Sequence, residues 1–383
     1  MIVLGSDDRK SPAPGLNSSL FRCSGVPPRS KGTTYPFKVL LLVALVAPAC
    51  WGQGRGGVEG VGIIGREHYS GPIVFSPDGE TLAVPGLECG RLELWSLATN
   101  QIRQAIVSPS NKGGGCVLHV AFSKDRHSIA IEYQDRGISI WDLEKGRERT
   151  FIPFGPGRWA EDLAFVDGRT LGAIMAKSTV GDLDRPDRTL WNHWSVRWDA
   201  ATGKELETQV FDPRHRFNAL SPDGRYASLG TETSQTVFNL ATGKLAFTSA
   251  INDRGVFVFA DDGSTLVAYT ETALTVWDVP SGKKSLQFAN PPGRSSSPTE
   301  PSISFDNKRL AVGHFTRTND VGLIDIETGK VIETFVIAPD EMICRAVRFA
   351  PGGCLLVTDI HGVDNRDQGV DPVLRLWKIP ATK

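Results

Sequence analysis

The densest set of side chains able to recognise or react lies in residues 177–194, which hold Asp182, Asp184, Arg185, Asp187, Arg188, Trp191, His193 and Trp194. Trp159 stands a little upstream. Arginine and tryptophan are the usual anchors of interfaces, because a guanidinium offers directed donors and an indole a broad apolar surface. Arg185, Arg188, Trp191, His193, Trp194 and Trp159 are therefore the candidate partner-binding residues. The competing reading is a loop that folds its own tryptophans onto the sheet beneath it. The three aspartates have the oxygen chemistry of calcium ligands, but they lack the glycine and the distal glutamate of a calcium loop. They read as a solvated acidic loop.

Other chemistry is thin. The seven histidines, His68, His119, His127, His193, His215, His314 and His361, are scattered without a paired spacing. No Cys-x-x-Cys-His haem attachment occurs. Gly113, Gly114 and Gly115 do not sit between a strand and a helix, so they are no phosphate cradle. The sequence assigns no catalytic residue, no metal site and no cofactor.

Composition bounds the remaining classes. The chain has 383 residues, 40% of them hydrophobic, enough for a large core, and a net charge of −1. That balance gives no footing for nucleic acid or an anionic membrane surface. Residues 1–36 are polar and rich in Ser, Pro and Gly, and read as an unstructured extension. Residues 37–52 contain an apolar run, preceded by Arg29 and Lys31 and entered by Lys38, that is shorter than the ~20 residues of a membrane-spanning helix. With Ala47-Pro48-Ala49 as a small-x-small cleavage site, this is the pattern of a secretory signal, and the expectation is export to the periplasm or outside the cell. Cys50 follows that site and invites a lipid anchor, although Pro48 intrudes on the lipoprotein pattern.

From residue 58 the chain repeats. A unit such as the fourth opens with Ser221-Pro222-Asp223-Gly224, continues through Tyr226-Ala227-Ser228-Leu229, and closes on Thr236-Val237-Phe238-Asn239 and Thr242-Gly243-Lys244. Proline presets φ, aspartate bonds its own backbone and glycine accepts a positive φ, so both Ser-Pro-Asp-Gly and Thr-Gly-Lys read as tight turns between short strands. Equivalent units start at residues 75, 122, 165, 220, 259, 305 and 349, with spacings of 47, 43, 55, 39, 46 and 44. These bracket the ~40–45-residue period of four-stranded propeller blades. The expected fold is all-β: a seven-bladed β-propeller over residues 58–383. The last unit is one strand short, and residues 58–65 precede the first, so the N-terminal segment is expected to complete the last blade.

The repeated residues resemble the WD-repeat β-propellers. The Trp-Asp signature stands at Trp141-Asp142, Trp198-Asp199 and Trp277-Asp278, and is degraded at Trp95-Ser96, Phe238-Asn239, Ile324-Asp325 and Trp377-Lys378. The family's Gly-His element is absent at nearly every junction, and Asp135 is the one clear remnant of its loop aspartate. The resemblance is therefore to a degenerate, bacterial-style exported member.

In a blade, the first-to-second and third-to-fourth turns share one face. Here those turns are short and regular, while the irregular segments, 108–116, 153–162, 175–194, 290–301, 338–345 and 360–372, fall on the other. Scaffolds carry function on variable loops. The resulting expectation is a non-catalytic scaffold that binds a protein or peptide through the decorated face. The alternative is a propeller enzyme of lactonase-like or quinoprotein-like type, with its site in the central channel. Cys89 and Cys116 both belong to decorated-face loops and could form a disulfide in an oxidising compartment. Cys344 and Cys354 lie at opposite ends of one strand, too far apart to bridge, and read as free and buried.

Overall fold

The computed structural model describes residues 58–66, 71–86, 88–108, 115–179, 190–231, 233–250, 255–270, 272–289, 299, 301–313, 315–316, 319–338, 342–362 and 373–380. The extension, the apolar run, the cleavage site and Cys50 lie outside them, as do Arg185, Arg188 and the three loop aspartates. Among the described residues there are no helices. Twenty-eight strands form seven four-stranded antiparallel sheets. Blade one runs from Val74–Phe75 to Gln101–Val107, blade two from Val117–Phe122 to Arg147–Pro153, and blade three from Arg158–Phe165 to Glu205–Val210. Blade four runs from Arg216–Leu220 to Lys244–Ala250, blade five from Gly255–Phe259 to Lys283–Ala289, and blade six from Ser302–Ile303 to Val331–Val336. Blade seven takes Met342–Phe349, Leu355–Gly362 and Val373–Lys378 from the C-terminal part of the propeller, and its outer strand, Glu59–Arg66, from its N-terminal part. That strand pairs antiparallel with Val373–Lys378, Gly60 opposite Trp377 and Ile64 opposite Leu374. The expected closure is present.

The first turn is held by a side chain to which the sequence reading gave no role. Ser76, Ser123, Ser221 and Ser304 each donate from Oγ to the aspartate two residues on, at 2.5–2.6 Å. Each also accepts the backbone N–H five residues on, at 2.9–3.0 Å, which pins the start of the second strand. The second turn is capped by the residue after the large apolar residue that ends the third strand. Asp199 accepts from Thr202 N at 2.8 Å, Asp325 from Thr328 N at 2.7 Å, and Asn239 from Thr242 N at 3.1 Å. Asp142 does the same with Lys145 N, and that bond together with the Arg149 guanidinium holds its carboxyl down to about 2. The aspartate of the Trp-Asp pair is thus a turn cap.

The buried apolar residues fall into seven clusters among the described residues, each spanning two consecutive blades. The aromatic or aliphatic residue ending each third strand always enters the junction with the preceding blade. Trp198 fills the gap between blades two and three, Trp277 that between four and five, and Ile324 that between five and six. Trp95 packs into the junction that joins blade seven to blade one. No blade buries its own sheet; each is covered by its neighbours, so the strands read as apolar runs rather than alternations.

Several segments expected to be irregular are partly strand. Residues 158–162 belong to the first strand of blade three, 342–345 to that of blade seven, and 360–362 extend the second strand of blade seven. The largest difference is in 175–194. The middle strands of blade three, Thr170–Thr179 and Leu190–Asp199, have 10 residues each, where the corresponding strands of blade four, Tyr226–Gly230 and Ser234–Asn239, have 5 and 6. The loop is in good part a β-hairpin rising from the decorated face.

Candidate binding face

On the regular face, turn side chains tie neighbouring blades to one another. Arg126 Nη1 donates to Asp78 Oδ2 at 2.8 Å, linking the first turns of blades two and one. Arg225 and Asn307 both bond Asp262, at 2.7 and 3.2 Å, tying blades four and six to blade five. Buried Arg309 donates to the carbonyls of Gly353 and Pro380 at 2.7 and 2.6 Å, joining blade six to blade seven.

On the opposite face the hairpin of blade three adds the rungs Lys177–Asn192, Ser178–Trp191 and Thr179–Leu190. The candidate residues separate here. Trp191 lies in the hairpin strand, and its side chain is outside the described residues. His193 is only 4% exposed: Nδ1 lies 3.2 Å from the carbonyl oxygen of His215 and Nε2 3.3 Å from Glu161 Oε1, so it is held in the wall toward blade four. Trp194 and Phe154 are half-buried and lie against the core between blades two and three. The Arg158 guanidinium stacks over the Trp194 ring, 5.6 Å from its centroid, a contact worth about 0.5–1 kcal/mol at an exposed site. Trp159, half-buried, sits on the first strand of the same blade. The structure therefore brings Trp159, His193 and Trp194 to one sheet, with Arg158 as an arginine the sequence reading passed over.

A second missed feature is the contact between blades two and three. Glu132 is 1% exposed in a strand whose every residue is buried. Its Oε2 lies 2.6 Å from His119 Nδ1, and its Oε1 accepts from Ala160 N, in the next blade, at 2.8 Å. Burial disfavours a charged imidazole, but the Glu132 carboxylate, backed by Asp162 and Glu161, outweighs it and holds His119 above its ordinary value. The available signal was one carboxylate inside an apolar run, which demands a partner.

Cys89 Sγ and Cys116 Sγ stand 3.1 Å apart across the junction of blades one and two. Cys344 is buried and is the free cysteine among the described residues, and burial pushes its thiol up. Cys354 departs from the sequence reading: at the exit of the first turn of blade seven it is half exposed, and it is not free. Asp135 takes a positive φ of 59° in an exposed turn. Among the described residues, no three His, Cys, Asp or Glu side chains are grouped to hold a metal ion, and no helix is long and apolar enough to cross a membrane.

No family model and no curated protein matches the chain. Solved structures do. The crystal structure of the Cps50 (Swd1) β-propeller domain of Myceliophteria thermophila matches with a TM-score of 0.61 and 13% identity, covering 84% of this chain and 99% of that one. At that identity the likeness is one of fold. With the repeated turns, the Trp-Asp caps and the strand exchange at the seam, it makes this chain a seven-bladed β-propeller of WD-repeat-like build.

Proposed function

We propose that this chain is a non-catalytic scaffold that binds a protein or peptide segment on the decorated face, at blade three. The observation that carries the reading is the difference between the two faces. Polar turn side chains on one are spent on caps and cross-turn bonds, whereas the other carries, among the described residues, the long hairpin strands of blade three with an arginine–tryptophan stack at their base. Rigid strands presenting an aromatic anchor beside a cation are what a peptide-binding surface needs. The fold alone would support many other roles, so the argument rests on that site.

Selection of a displayed random peptide library on the immobilised protein tests the reading. Peptides should be enriched, and their affinity should fall at least tenfold, on the order of 1.4 kcal/mol, when residues 178–191 are replaced by a two-residue turn. Enrichment that survives this trimming with unchanged affinity would sink the proposal. The scaffold is further proposed to act after export, with the chain cleaved after Ala49; a mature N-terminus found at Met1 by mass spectrometry would overturn that part.

A further inference from the structure

We infer that the partner segment is acidic, and that it is read by a row of donors on the blade-two side of the hairpin base; this rests on the scaffold reading above. Arg158, Lys177 and Asn192 are successive partners in register across the first three strands of blade three. Directly opposed residues share a face and stand about 5 Å apart at Cβ, and like charges so placed repel. Among the described residues neither Arg158 nor Lys177 forms a salt bridge, so no carboxylate offsets their opposition. Both cations are exposed and Asn192 is half-buried.

The row below them is Ala160, Met175 and Trp194, which continues into the core between blades two and three. The three donors are therefore the first polar rung above an apolar floor. The nearby carboxylates are turned to other tasks: Glu161 lies against His193, and Asp162 accepts the Leu163 N–H at 2.8 Å. The Trp194 stack holds the Arg158 guanidinium over the ring, so part of its side-chain entropy is lost before any partner arrives. Two cations and an amide in line, over tryptophan and methionine, match a chain of carboxylates with an apolar residue among them. Phosphates would satisfy the same donors, but the net charge of −1 gives a nucleic acid no wider field to follow.

Fluorescence anisotropy on the full chain decides the matter, with a fluorescein-labelled polyglutamate peptide, a polylysine peptide of equal length and single-stranded RNA as probes. Polyglutamate should bind, weaken with added salt, and lose about tenfold in affinity on Lys177→Glu and on Arg158→Glu. Asn192→Asp, which inserts a carboxylate into the row at nearly constant volume, guards against a misfolded charge reversal and should also weaken binding. Polyglutamate binding that is absent, or unmoved by all three substitutions in proteins with wild-type melting, overturns the inference, as does tighter binding of RNA. If the library yields neutral or basic peptides that are still lost on trimming the hairpin, the acidic partner falls and the scaffold stands. If it yields no peptide, both fall.

Discussion

Glu132 shows how much one side chain can be asked to do in a ring of blades. Its two oxygens serve different blades, one facing His119 on the adjacent strand and the other accepting Ala160 N–H across the junction. Because His119 is held above its ordinary value of 6.5 in the folded chain, its charged form stabilises the fold. That contribution is complete below the unfolded value and is lost as pH rises through the folded one. The melting temperature should therefore fall as pH is raised from about 6.5 upward, and His119→Gln should flatten this dependence; an unchanged slope in the variant would show that His119 is not its source. The sequence made Glu132 conspicuous as a lone carboxylate in Ser128–Tyr133. It could not name the partners, because one lies 13 residues away and the other 28, in a different sheet.

At the scale of the element, the turns explain why the motif repeats. Gly329, in the second turn of blade six, has φ of +66°, and a Cβ there would stand 2.1 Å from the ring of Phe288 on the outer strand of blade five. Gly329 thus serves both its own turn and the close approach of blade six to blade five. Gly157 separates the two effects, since its φ is +69° with nothing within 4 Å of a Cβ. Gly157→Ala should cost about 1 kcal/mol from the backbone alone, and Gly329→Ala about 3 kcal/mol as the ring is displaced. Equal shifts in the urea midpoint would show that the blade contact does not constrain the turn. The turns were legible because Pro, Asp and Gly act locally. The hairpin of blade three was not: its strand residues are Trp, His and Asn without alternation, and their pairing comes from extending a neighbouring sheet.

For the molecule as a whole, closure decides stability. The outer strand of blade seven is supplied by Glu59–Arg66, so the first and last described strands hold each other in one sheet. Deleting residues 59–66 would expose the edge of Val373–Lys378 and uncover Trp377, which packs in the junction of blades six and seven. The expected result is loss of the cooperative melting transition together with self-association on size exclusion, as an open strand edge finds other chains. A monomer with the parent melting curve would refute closure as the source of stability.

What the sequence determined by itself was everything set by short-range geometry: seven units, their turns, the strand-length runs between them and the missing outer strand at the end. These follow from φ preferences and period, and need no knowledge of which sheets touch. Only the tertiary structure decided the contents of the junctions and the face. It turned His193 inward to Glu161, placed Glu132 between two blades, set Arg158 over Trp194 and lined up Arg158, Lys177 and Asn192. The reason is that these neighbours are joined through strand register and ring closure, so their proximity is a property of the assembled sheets and of no single segment.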